Sequence, residues 1–145
     1  MIEGSIIPKV LVVDHEPLIC AGIVRCLDSR AEVIAVTCAE EALVQLEREN
    51  FDVCLMDIFL PGMDGLNALR LINRKFPLIK VVIVTGHYLN DAIRDTINNE
   101  AYALIEKPFT VSQIRDLVID AALPANQNFF NSSTAYMKRN ITVVE

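Results

Sequence analysis

Phe51-Asp52-Val53-Cys54-Leu55-Met56-Asp57, followed by Ile58-Phe59-Leu60-Pro61-Gly62-Met63-Asp64-Gly65, is the stretch that decides the fold. Its first half is an apolar run of strand length with no polar alternation, the pattern of a strand covered on both faces. Its second half is a turn punctuated by one proline and two glycines, after which a helical period begins. Asp57 thus stands at the carboxyl end of a strand, and its carboxylate is expected to be displayed there, not buried. Asp64, before Gly65, is expected to be a cap.

Working outward, short β-branched runs alternate with segments of helical period. Strands are predicted near 8–13, 32–36, 51–56, 80–85 and 102–106. The helices between them carry one apolar stripe each: Leu18, Ile19, Ile23, Cys26 and Leu27; then Ala39, Ala42, Leu43 and Leu46; then Leu66, Leu69 and Ile72. The fourth has Leu89, Ala92, Ile93 and Ile97, and the fifth Val111, Ile114, Leu117, Val118 and Ala121, with Thr110 as its N-cap. Alternation of this kind implies right-handed crossovers and an α/β fold, a doubly wound (βα)5 parallel sheet. Sites in such sheets form beyond the carboxyl ends of the strands. Three further polar clusters fall there: Asp14-His15-Glu16, Thr85-Gly86 and Lys107-Pro108.

Composition narrows the classes. The 145 residues suit one domain. A 52% hydrophobic fraction and mean hydropathy of +0.36 fit strands buried on both faces. No apolar run approaches the roughly 20 residues of a membrane helix, and the first residues lack a signal-peptide pattern, so a cytoplasmic location is expected. Cys20, Cys26, Cys38 and Cys54 show no Cys-x-x-Cys spacing and read as buried, reduced thiols. A net charge of −6 argues against direct nucleic-acid binding. Residues 1–7 read as an extension, 8–122 as the domain, and 123–145, where Asn126-Gln127-Asn128 introduces a polar composition, as a linker or tail.

These residues resemble the receiver domain of two-component response regulators. Met56-Asp57 with Leu60-Pro61-Gly62-Met63-Asp64-Gly65 is similar to that family's phosphoacceptor segment, and Val84-Thr85-Gly86-His87 and Glu106-Lys107-Pro108-Phe109 to its fourth and fifth strand ends. The resemblance implies strand order 2-1-3-4-5, the flavodoxin-like order, and a cis peptide before Pro108. It implies that Asp57 accepts a phosphoryl group from a sensor histidine kinase or phosphotransfer protein, with Thr85 and Lys107 contacting that group. Mg2+ would be held by Asp14, Asp57 and the backbone carbonyl of Phe59, with Glu16 beside them. Activity would be self-directed phosphorylation and dephosphorylation, with no metabolite turned over. The output would be a downstream protein or a fused domain, and pairing of two copies is open.

The sequence also departs from the family. His15 stands where a second acid usually binds the metal, which leaves three outcomes beside simple solvent exposure. Asp14 or Glu16 takes over, His15 recruits a softer metal, or magnesium binds poorly and a protonated His15 neutralises the pocket. Leu104 replaces the aromatic residue that couples the site to the fourth and fifth helices. Tyr102, two residues earlier, is expected to project from the same side and could substitute. Glu100 replaces a glycine. Phe59 and His87 flank the approach to the phosphoryl group and are expected to hinder water. The alternative to a phosphorylated switch is a degenerate receiver that binds a partner without phosphorylation. A haloacid-dehalogenase-like phosphatase would need a second aspartate where Phe59 stands, and the acidic first loop disfavours a flavodoxin.

Overall fold

A computed structural model of the chain describes residues 7–123. Five strands and five helices alternate: β1 Lys9–Val13, α1 Pro17–Cys26, β2 Glu32–Val36, α2 Ala39–Arg48, β3 Val53–Met56, α3 Gly65–Lys75, β4 Lys80–Thr85, α4 Asp91–Glu100, β5 Ala103–Glu106 and α5 Val111–Ala122. The strands form one sheet in the order β2-β1-β3-β4-β5, and every pairing is parallel. This is the expected flavodoxin-like order.

The period-two pleat sorts each strand between two cores. Leu11, Val13, Cys54, Met56, Val81, Ile83 and Leu104 face one way and pack against α2, α3 and α4 through Ala42, Leu46, Leu69, Ile72 and Ile97. Val10, Val12, Val53, Leu55, Val82, Val84 and Ile105 face the other way, against Cys20 and Ile23 of α1 and Ile114, Leu117 and Val118 of α5. Central β3 is buried along its whole length. That explains why its sequence shows no polar alternation. Caps fix where helices start: Asp64 Oδ1 accepts from the Asn67 N–H at 3.0 Å, and Thr110 and Gln113 form a reciprocal capping box.

The sequence-derived ends need adjustment in places. β3 begins at Val53, with Asp52 Oδ2 accepting the Lys9 N–H at 2.9 Å just before it, and β5 begins at Ala103. Leu18 is 86% exposed: it lies in the first turn of α1, beyond the reach of the sheet. Ala92 and Val111 are also exposed, while Leu89 is buried from the loop before α4. Three of the cysteines are buried; Cys38 is only half-buried, at the N-cap of α2. Apart from Ile7 and Leu123, the extension 1–7 and the tail 123–145 lie outside the described residues. No helix among the described residues is long and apolar enough to cross a membrane.

Candidate functional site

The carboxyl ends of β1, β3, β4 and β5 carry the site, and the sheet's hydrogen bonding continues one residue past the strands to aim it. Asp14 N–H donates to the Val36 carbonyl at 3.2 Å, Asp57 N–H to Val13 at 2.9 Å, and Lys107 N–H to Thr85 at 2.8 Å. Each acid is then oriented by the loop that follows it. Asp14 Oδ1 accepts the Glu16 N–H at 2.9 Å, and Asp57 Oδ1 accepts the Phe59 N–H at 3.0 Å, both as Asx-type turns. The second oxygen of each carboxylate meets the same cation, with Lys107 Nζ 2.9 Å from Asp14 Oδ2 and 3.3 Å from Asp57 Oδ2. Glu16 Oε1 is 3.9 Å from that ammonium.

Asp57 is not displayed as the sequence suggested. It is 1% exposed, Asp14 2% and Thr85 0%. The loop after β3 folds back across the strand ends, and the Phe59 N–H and Lys107 ammonium replace the water that an open carboxylate would have. Burial pulls the Lys107 ammonium down, but its hydrogen bond to Asp14 and the charges of Asp57 and Asp14 outweigh it, so the net displacement is upward. Two carboxylates against one ammonium leave the pocket with a residual negative charge.

Local sequence explains why the loop holds this path. A Cβ on Gly65 would lie 2.4 Å from Ile58 Cα and 2.7 Å from the Asp57 carbonyl oxygen, so only glycine lets α3 start against the loop. Gly65 N–H in turn donates to the Ile58 carbonyl at 2.8 Å. Gly62 turns the loop with φ +75°, and Glu40 of α2 accepts the Met63 N–H at 3.1 Å. Hydrogen bonds from its own and the Met63 N–H hold the Glu40 carboxyl below the usual range. The Lys107–Pro108 peptide is cis, as the resemblance implied.

The Thr85 side chain is fully buried, its Oγ1 accepting the His87 N–H at 3.3 Å. Phe59 and His87 touch each other over the strand ends, ring centroids 4.3 Å apart and tilted by 48°. This ring contact was not foreseen from the sequence. An open groove of about 570 Å3 continues from Phe59 past His15, Pro61, Leu66 and Ile93. Also unforeseen are the Cys20 thiol, which donates to the Asp14 carbonyl at 3.3 Å, and the Arg94–Glu106 ion pair at 2.9 Å.

Leu104 is fully buried in the core on the α2, α3 and α4 side. Tyr102 does not share that side. It packs with the opposite core, its hydroxyl donates to Asp120 of α5, and Lys80 Nζ lies 5.7 Å from its ring centre. The residue precedes β5, so strand alternation does not govern it. Glu100 occupies its turn by accepting from Arg70 Nε at 3.2 Å, with its carbonyl taking Asn73 Nδ2 at 2.8 Å.

Asp14, His15 and Asp57 each offer one ligand atom, and these atoms all lie within 4.8 Å of one another, His15 being the exposed member. Two carboxylate oxygens and an imidazole nitrogen fit a divalent cation. The Phe59 carbonyl lies on the loop fixed by the Asp57 bond.

The family model "Response regulator receiver domain" matches residues 10–119. The chain is 36% identical over 92 residues to the response regulator FleR of Pseudomonas aeruginosa, covering 63% of this chain and 20% of FleR. It is 32% identical over 108 residues to the alginate biosynthesis regulator AlgB of Pseudomonas putida, covering 74% and 24%. The chain thus spans about a fifth to a quarter of the length of these curated relatives. The solved beryllofluoride-activated NtrC4 receiver domain dimer superposes with a TM-score of 0.72 at 29% identity, covering 78% of this chain and 94% of that one.

Proposed function

The chain belongs to the response regulator receiver family of two-component signalling, and from that premise we propose that Asp57 takes a phosphoryl group from a sensor histidine kinase or phosphotransfer protein. The resulting acyl phosphate would shift the domain between two partner-binding states. The observation that carries this is the Lys107 ammonium 3.3 Å from Asp57 Oδ2 and 2.9 Å from Asp14 Oδ2. An anionic nucleophile meeting an anionic phosphoryl group needs cationic charge already in position. In this role the Asp57 oxygen attacks phosphorus, the donor's nitrogen leaves, and Lys107 turns to the transferred oxygens. The Thr85 hydroxyl donates to one of them. Asp14, Asp57, the Phe59 carbonyl and His15 are the residues that would hold a divalent ion such as Mg2+, which supplies further charge neutralisation when bound. No metabolite is turned over; the chemistry is loading and unloading of Asp57.

The domain works in the cytoplasm, where its kinase's phosphoryl supply lies, and signals to a separate protein or a domain fused to it. The dimer described for the NtrC4 receiver supports pairing of this domain with itself. Its net charge of −6 supports the reading that this chain does not itself bind nucleic acid directly.

One observation favours a second reading, a receiver that binds its partner without phosphorylation. Leu104 is buried where an aromatic residue would report the state of the site, and Tyr102 is turned to the opposite core. Treatment with acetyl phosphate, followed by intact-mass measurement, separates the two. We expect one phosphoryl adduct on the wild type and none on Asp57→Ala. An unmodified wild type that also fails to bind beryllofluoride, with its fold intact by circular dichroism, would establish the second reading instead.

A further inference from the structure

Building on the phosphoacceptor reading of Asp57, we propose that this site takes a first-row transition ion, Mn2+ or Zn2+, in preference to Mg2+, and that the His15 imidazole sets the preference. One of its ring nitrogens lies within 4.8 Å of a carboxylate oxygen of Asp14 and of Asp57, although the residue is exposed. Among the described residues this is the one group of three such side chains brought together. The second histidine, His87, is engaged with Phe59.

Charge and donor type act in the same direction. Mg2+ is a hard ion whose affinity comes from anionic and water oxygens in a tight octahedron. Here Lys107 shares both carboxylates, at 2.9 and 3.3 Å, and position 15 adds no third anion. Glu16, whose side chain is 56% exposed, lies 3.9 Å from the ammonium and is screened by solvent. Mg2+ therefore loses both the charge and the oxygen that an acid at position 15 would give. A first-row transition ion loses that charge but gains an imidazole bond, a gain smallest for Mn2+ and rising through the series to copper, with zinc below copper. Asp14 and Asp57 are each fixed by a backbone N–H, so the acids are preset and only the exposed imidazole adjusts to the ion.

The test measures binding without turnover. The full chain is titrated with Mn2+, free ion being followed by electron paramagnetic resonance, and Mg2+ affinity is taken from competition, for the wild type, His15→Asp and His15→Ala. The wild type should prefer Mn2+, and the ratio of Mn2+ to Mg2+ affinity should fall about tenfold or more in both variants. In His15→Ala the fall comes from weaker Mn2+ binding, and in His15→Asp from stronger Mg2+ binding. Zn2+ should also shift the His15 ring nitrogens in NMR spectra while leaving those of His87 in place. The same ratio in all three proteins, or His15 resonances indifferent to Zn2+, overturns the proposal. Beryllofluoride binding separates this from the reading beneath it. A preference that follows His15 while beryllofluoride fails with every ion supports the selectivity and removes the phosphoacceptor role. Beryllofluoride held as tightly with Mg2+ as with Mn2+ in the wild type overturns the selectivity alone.

Discussion

Replacing Lys107 with methionine asks what a single ammonium does for the pocket. Methionine keeps most of the apolar stem, so the substitution mainly deletes charge. It leaves Asp14 and Asp57, 2% and 1% exposed, with oxygens within 4.8 Å of one another. Two like charges at that distance repel by roughly 3.5 kcal/mol at an effective dielectric constant of about 20. Removing one partner of a buried ion pair generally costs about 3–5 kcal/mol, so the two routes agree on a loss of about 3–4 kcal/mol at neutral pH. Urea unfolding followed by far-ultraviolet circular dichroism at neutral pH measures the loss. Adding Asp14→Asn should restore at least half of the loss, a coupling that only neighbours show. A methionine variant within about 0.5 kcal/mol of the wild type would refute the idea that Lys107 holds the two acids together.

Gly65→Ala should destabilise the domain by roughly 2–3 kcal/mol despite alanine's helix preference, because its Cβ would meet backbone at 2.4 Å; thermal unfolding checks this, and an unchanged midpoint would count against the close approach. Gly22→Ala, exposed within α1 and with nothing within 4 Å of its Cβ, should instead stabilise by about 0.5–1 kcal/mol in the same assay. Burial pushes the Cys54 thiol up to about 12 from 9.0, so its contribution is complete below pH 9 and is lost as pH rises toward 12; by pH 10 the loss is on the order of 1 kcal/mol. Cys54→Ala should flatten that limb in urea titrations, leaving the part due to Lys107, which is also displaced upward and is lost only above about pH 10.4. Phe59→Asn, which removes one ring of the Phe59–His87 pair, should shorten the lifetime of the phosphorylated form; an equal lifetime by timed mass measurement defeats the shielding role.

The fold was legible because two simple periods run through the sequence, and the strand ends were legible because charged and hydroxyl residues follow apolar runs at Asp14, Asp57, Thr85 and Lys107. What sequence could not give was direction beyond the regular elements. Tyr102 was assigned a face by strand alternation, but it precedes β5 and finds its partner on α5. Leu18 satisfies the helical stripe yet stands clear of the sheet, since periodicity fixes a face and not how far the helix overhangs. The burial of Asp57 depends on a loop returning through Gly65 and held by Glu40, whose contact with Met63 spans 23 residues and leaves no local pattern. The Phe59–His87 stack joins two loops whose proximity follows from the neighbouring ends of β3 and β4, so strand order could have suggested it.

Lys107 is already hydrogen-bonded to the atom that the proposed reaction would use, and its own main chain is tied to Thr85. Loading the aspartate would then be a transfer of allegiance: the ammonium lets go of one oxygen and takes another a short way off, without crossing solvent. A resting domain of this kind keeps its nucleophile occupied, so the donor has to compete with an internal rival. The outcome is decided by how much negative charge the newcomer brings.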